Sequence, residues 1–278
     1  MPTITETLRA AAALGVDRLD AQMLLLHALG RDTGNRAWLL SHDGDTPDEA
    51  VQAAFQALLG RRKDGEPVAY LLGEKEFFGL SLQVDARVLV PRPDTETLVN
   101  WALELLPEGN AARVLDLGTG SGAIALAVAS RRRCAQVDAV DASTDALDVA
   151  QANAAALGLP VRFFFGNWFS GTPDGAGYDL VLSNPPYIAD GDSHLPALRH
   201  EPLQALTSGA DGLDDLRAIV AGAPGRMLPG GWLLLEHGWD QAGAVRDLLA
   251  AAGLEEVQSR TDLGGIERCS GGRLPLHR

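Results

Sequence analysis

Two rhythms of apolar and polar positions divide the chain. From Thr3 to about Gly73 the rhythm is helical: Leu19, Met23 and Leu26 fall on one helix face, and Val51, Phe55, Leu58 and Leu59 form a second stripe. Start and stop signals accompany it. Thr3 and Glu6 have capping-box spacing, and Gly30 suits a helix end. Thr46, followed by Pro47 and Glu49, predicts a further start, because proline at a first helical position gives up an amide that has no partner there. The expectation is a small helical bundle over residues 1–73.

Residues 74–93 change character. Leu80, Leu82 and Val84 alternate with Ser81 and Gln83, and a short apolar run follows at 88–90, so a β-hairpin linker is predicted. Pro91 and Pro93 then break the chain, with Asp94 placed to cap a helix that starts at Thr95 and buries Leu98, Val99, Ala102 and Leu105. Arg92, held between two prolines, is rigidly placed; an active site, a partner and a bridge between domains are equally open destinations for it.

The second rhythm fills residues 94–278, where buried strands alternate with helices as in a doubly wound α/β sheet. A strand at 114–117 runs into a glycine loop at 118–122 and a helix packed by Ile124, Ala127 and Val128. Next come a strand at 137–140 ending on Asp141, a helix at 145–157, and strands at 161–165 and 179–183. Beyond Asp211 follow a helix, a strand at 232–236, a helix at 241–252 and weaker strands near Val257 and Arg268.

Composition and charge narrow the partners. The 278 residues are 46% hydrophobic, enough for two cores, yet no run of about 18 apolar residues exists and the first fourteen carry Glu6 and Arg9, so neither a membrane span nor a secretory leader is expected and a cytoplasmic protein is. Two cysteines, Cys134 and Cys269, without a CxxC or a histidine cluster, indicate neither a disulfide framework nor a metal site. A formal charge of -14 opposes broad contact with a nucleic-acid backbone and favours a basic protein partner. Arg131, Arg132 and Arg133 read as cations at a helix C-terminus.

Candidate chemistry lies at strand ends. Gly118, Gly120 and Gly122, with Thr119 and Ser121 between them, let backbone approach a ligand, and Asp141 can accept the two hydroxyls of a ribose, a feature shared by NAD and S-adenosylmethionine. Asp116 discriminates between them: a carboxylate there repels a pyrophosphate but, directly or through water, holds an ammonium, which favours the phosphate-free S-adenosylmethionine. Trp168 could pack on an adenine or simply in the core, and Asn167 could bond the base edge. The stretch YDLVLSNPPYI delivers Asn184, Pro185, Pro186 and Tyr187 from a buried strand as a stiff polar loop. An asparagine amide beside a proline carbonyl suits recognition of another planar nitrogen group.

Taken together, VLVPRPDTE, DLGTGSGAIAL, GNWF and SNPPYI, followed by HEPLQAL, GADGLDDLR and LEHGWDQ, resemble the PrmC/HemK family of protein-(glutamine-N(5)) methyltransferases over almost the whole chain. The resemblance implies a Rossmann-like methyltransferase sheet of seven strands, with S-adenosyl-L-methionine as donor and S-adenosyl-L-homocysteine as product. It also implies methylation of the glutamine in the Gly-Gly-Gln tripeptide of class I peptide chain release factors. By it, 118–122, Asp141, Trp168 and Asn184 contact the cofactor, Asn184, Pro185, Pro186 and Tyr187 hold the substrate glutamine, and residues 1–73 bind the release factor. A monomer is expected. Glu236 and His237 look like an acid/base pair for which this chemistry has no need, and residues 189–209 form a long loop suited to a lid or a substrate contact. The sequence near the C-terminus, GGIERCSGGRLPLHR, departs from the family as a shortened or altered final hairpin. Alternatives are an adenine-N6 methyltransferase acting on nucleic acid, which needs a basic groove, and a non-catalytic scaffold that binds S-adenosylmethionine.

Overall fold

The computed structural model describes residues 1–173, 175 and 177–276, and the chain divides into two units, Met1–Glu74 and Lys75–Arg278. In the first unit, helices α1 (Ile4–Ala13), α2 (Arg18–Ala28), α3 (Arg36–Ser41), α4 (Glu49–Lys63) and α5 (Val68–Leu72) enclose a core of Ile4, Leu24, Leu25, Phe55 and Leu59. The capping box forms as the spacing implied: Glu6 N–H donates to Thr3 Oγ1 and Thr3 N–H to the Glu6 carboxylate at 2.8 Å. Two local expectations need correction. Asp48, not Thr46, caps α4, its Oδ1 accepting from Val51 N–H at 2.8 Å, because a carboxylate there also answers the helix dipole. On α2 the buried face is Ala21, Leu24 and Leu25, joined by Leu26, while Leu19 is exposed. Packing against α1, α4 and α5 chose that face.

A hairpin of β1 (Glu74–Phe77) and β2 (Leu80–Gln83) starts at the last residue of the first unit and lies otherwise in the second. Residues 88–90 form no strand; Val88 and Val90 are buried side chains of an irregular segment whose Val90 N–H donates to Glu201. A 3-10 turn at Pro93–Thr95 leads into α6 (Glu96–Leu105). Asp94 does not cap it. The turn draws Asp94 aside, where its carboxylate lies 3.4 Å from the Arg268 guanidinium.

Then follow β3 (Arg113–Leu117), α7 (Ala123–Arg131), β4 (Gln136–Asp141), α8 (Thr144–Leu157), β5 (Val161–Phe165), β6 (Tyr178–Ser183), α9 (Asp214–Gly222), β7 (Met227–Glu236), α10 (Ala242–Ala251), β8 (Glu255–Thr261) and β9 (Glu267–Arg273). They form one seven-stranded sheet in the order β5-β4-β3-β6-β7-β9-β8, with β9 antiparallel to its neighbours. Alternation along each strand separates two cores. Val114, Leu182 and Leu234 face α6 and α7, whereas Leu115, Val181, Leu233 and Leu235 face α9 and α10. Arg132 donates to the carbonyls of Leu103 and Leu106 and to that of Arg131, closing the C-terminal end of α6 as well as of its own helix.

The final two strands are seven residues each, longer than their composition suggested. Gly271 explains the discrepancy: a Cβ there would stand 2.4 Å from Leu234 Cδ2 and 2.9 Å from the Trp101 ring. The glycines that weaken strand propensity are what allow β9 to lie close against β7 and α6.

Candidate active site

Register puts the chemistry at one edge. Leu117 pairs with Val140 and with Ser183, Asp141 with Phe165, and Ser183 with Leu235, so the carboxyl ends of five parallel strands finish together. The chain runs from β3 outward to β5 and then returns to β6 on the other side of β3, which opens a crevice at that reversal. A cavity there is walled by Gly118, Gly120, Asp141, Asn167, Trp168, Asn184 and Pro186, with Leu89, Pro202 and Ala205 across from them.

Gly118 and Gly120 sit at φ 69° and 54°, the left-handed region that favours glycine. A Cβ at Gly118 would press on the Trp168 ring at 3.3 Å, while one at Gly120 would meet nothing within 4 Å, so at Gly120 the loop is bordered by open space. Asp141 ties the loop to β4: its Oδ2 accepts from Gly120 N–H at 2.8 Å and its Oδ1 from Ser143 N–H at 2.9 Å. Each oxygen keeps one lone pair for a ligand. Burial raises the Asp141 carboxyl above its ordinary range, and these amides partly offset it. Trp168 adopts φ 49°, unusual for a bulky side chain and a sign of a conformation held by its surroundings.

Asp116 lies elsewhere than on the cavity wall. It is fully buried, Oδ2 accepting from Thr119 Oγ1 at 2.7 Å and from Ala125 N–H at 3.2 Å, while Oδ1 has no partner. Thr119 and Ser121 are likewise buried and, with Gly122, shape the loop from within rather than line the cavity. Burial pushes the Asp116 carboxyl up to about 7, against the pull of Thr119 and Ala125 and with a further push from Asp141.

Asn184 stands between two spaces. It lines the glycine-loop cavity and also a second one bounded by Leu89, Arg92, Pro185, Tyr187, Leu198 and Leu206. Its Nδ2 donates to Thr95 Oγ1 at 3.2 Å, which leaves the amide oxygen as its acceptor for a ligand. Residues 189–209 are anchored here: Ile188 N–H bonds Leu206 O, and Ser208 N–H bonds Ile188 O. Buried Glu201 pairs with Arg92, which settles that arginine as a brace of the second cavity's wall. His237 bonds Ser270 Oγ at 2.8 Å and the Gly238 carbonyl at 2.9 Å. The sequence marks Thr95 only as a helix start, and Glu201 and the Pro202–Ala205 wall stand only inside the motif HEPLQAL.

The donor set fits S-adenosylmethionine rather than a dinucleotide. Arg87 is the one cation among the described lining residues, and it is already paired with Asp85 at 2.7 Å, so a pyrophosphate would find no counter-charge. The unpartnered Asp116 oxygen is instead suited to a cation reached through the loop. Among the described residues no helix is long and apolar enough to cross a membrane, and no group of three or more His, Cys, Asp or Glu could hold a metal ion.

Comparison with known proteins identifies the family of the chain. The family model of the methyltransferase small domain matches residues 95–208, and that of the PrmC N-terminal domain matches residues 3–73. A release factor glutamine methyltransferase of Bordetella pertussis is 55% identical over 94% of this chain and 96% of its own length. One from Burkholderia pseudomallei is 50% identical over 98% of this chain and 96% of its own. A methyltransferase structure from Pyrococcus furiosus, 18% identical, covers 79% of this chain and 98% of its own with a TM-score of 0.55, a likeness of fold.

Proposed function

The chain belongs to the release factor glutamine methyltransferase family, and from that premise we propose how its own residues carry out the transfer. It is an enzyme that methylates the side-chain amide nitrogen of a glutamine in a peptide chain release factor. The glutamine is that of the Gly-Gly-Gln tripeptide of class I factors, and the donor is S-adenosylmethionine, which when bound supplies a methyl group on a cationic sulfur. The loop backbone at Gly118 and Gly120 would receive the donor, with Thr119, Ser121 and Gly122 holding the loop's shape; Asp141 would accept from its ribose hydroxyls, Asn167 and Trp168 would flank its adenine, and Asp116 would compensate its ammonium through the loop.

An amide nitrogen is a poor nucleophile because its lone pair is shared with the carbonyl, so most of the acceleration must come from alignment. Asn184 Oδ1 and the Pro185 carbonyl accept the two N–H bonds of the substrate amide, and Pro186 stiffens the loop that presents them. As the nitrogen gains positive character, both acceptors bind it more strongly than they bind the neutral amide, which is the condition for lowering a barrier. Tyr187 walls the amide. No side-chain base is needed before transfer, since the proton leaves more easily once the nitrogen carries the new bond.

The observation that carries this reading is the position of Asn184, shared by both cavities with its NH2 already committed to Thr95. The helical unit, 3–73 by the family match, is read as the release-factor docking module, and the enzyme as a cytoplasmic monomer. Labelled S-adenosylmethionine and a purified class I factor test the assignment: label should reach the factor and be lost when its Gly-Gly-Gln glutamine is replaced by alanine. Equal labelling of the alanine factor, or labelling of adenine in nucleic acid instead, overturns it.

A further inference from the structure

One buried carboxylate is left without a task by the mechanism above. β6 and β7 run parallel and in register through Ser183 and Leu235, so the next residues, Asn184 and Glu236, end their strands side by side. Both follow, by two positions, leucines that face α6, and alternation turns them toward that same face. There the entry to α6 supplies Thr95, itself buried, whose hydroxyl accepts from Asn184 Nδ2 at 3.2 Å. Glu236 is only 1% exposed, with Thr95 and Tyr187 as its hydroxyl neighbours and Oε2 unpartnered. Burying a carboxylate in this way carries a large cost that packing alone does not require.

We propose that Glu236 is a positioning residue for methyl transfer: through the Thr95 hydroxyl it holds the Asn184 amide with its oxygen toward the substrate nitrogen, and it holds Tyr187 beside it. The proposal rests on Asn184 gripping the substrate amide as read above. A hydroxyl has one proton and two lone pairs. When Glu236 is ionised it accepts the Thr95 proton, and a Thr95 lone pair is then free for Asn184 Nδ2. When Glu236 is protonated it can donate to one Thr95 lone pair instead, which frees the Thr95 proton to be given to Asn184 Oδ1; Thr95 then accepts the Asn184 amide in either orientation, and the amide is free to turn its donors toward substrate N–H groups it must accept from.

Several charges set when that change occurs. Burial is the main influence, pushing the Glu236 carboxyl up to about 7 against the Thr95 hydroxyl; Asp94 raises it further, while Arg268 and Tyr187 lower it. Arg268 comes from β9 and is shared between Asp94 at 3.4 Å and Asp262 at 3.1 Å. Cys269, opposite Glu236 on β9, is a buried thiol held neutral by the same surroundings. His237, next along the chain, is engaged with Ser270 and has its proton affinity lowered by burial.

The test is steady-state methylation of a full-length class I factor by the full chain at saturating S-adenosylmethionine, from about pH 6 to about pH 8.5. Wild-type kcat should rise through about pH 7, whereas Glu236→Gln should give a level profile about tenfold lower at the alkaline end, with the Kd for S-adenosylmethionine within about twofold of wild type. Thr95→Val should lower kcat similarly, and Thr95→Ser should restore it. Thermal unfolding and cofactor binding establish that each variant is folded. A wild-type profile in Glu236→Gln, or wild-type kcat in Thr95→Val, overturns the positioning role while labelling by the wild-type enzyme leaves the function standing. A wild-type enzyme that fails to label the factor overturns the function beneath it.

Discussion

Two buried carboxylates at the same sheet edge invite comparison. Asp116 at the end of β3 and Glu236 at the end of β7 are 0% and 1% exposed, each keeps one oxygen without a partner, and burial pushes each up to about 7. Their surroundings differ. Asp116 is held by Thr119 and Ala125, which belong to the glycine loop and the helix behind it, so its charge is coupled to whatever that loop binds. Glu236 has as hydroxyl neighbours Thr95, which accepts from Asn184, and Tyr187, which lines the second cavity. On the roles proposed above, similar isolated acidities serve different ends: that of Asp116 adjusts cofactor affinity and that of Glu236 adjusts turnover.

The strongest way to break that division is Asn184→Ala. Removing the amide acceptor should lower kcat about a hundredfold or more, as the loss of one transition-state acceptor does elsewhere, while the Kd for S-adenosylmethionine changes little. Isothermal titration together with single-turnover methylation separates the two quantities, and a parallel fall in cofactor affinity would merge the two regions into one.

Asp116→Asn should act in the opposite sense. Loss of the charge beneath the loop is expected to weaken S-adenosylmethionine about tenfold, with kcat at saturation nearly unchanged. A kcat defect as large as that of Glu236→Gln would show that Asp116 also reaches the transferring group.

The smallest expected effect is on stability. A carboxyl whose folded acidity is shifted upward contributes stability that is complete below its unfolded value and is lost as pH rises through the folded one. Both Asp116 and Glu236 are shifted upward from about 4 toward about 7, so the cofactor-free enzyme should lose stability between about pH 4 and pH 7. Asp116→Asn and Glu236→Gln should each abolish part of that loss, about 1–3 kcal/mol at pH 8. Added S-adenosylmethionine should cancel the Asp116 share and leave the Glu236 share, a contrast that thermal unfolding at several pH values can read directly.

Much of this was legible along the chain. The Thr3–Glu6 capping box, the glycine loop tied to Asp141, and the polar turn at Asn184 all depend on residues near one another in sequence or on one strand's end. Misreadings came where a distant element intervened. Asp94 looked like a helix cap until Arg268 of β9 drew it away, and the final strands looked weak because their glycines fit against Leu234 and Trp101. Arg92 had three open destinations until a glutamate 109 positions further along paired with it.

By itself the sequence determined the two-part organisation, the order of strands and helices, and the identity of the loop that presents Asn184, because each follows from local periodicity and backbone preference. Only the tertiary structure decided that Asp116 lies under the loop rather than in the cavity, and that Glu236 stands beside Asn184 with Thr95 above them. Desolvation is the reason: a carboxylate's acidity and partners depend on what packs over it, and those atoms arrive from α6, β9 and the glycine loop through sheet register, which no neighbouring residue encodes.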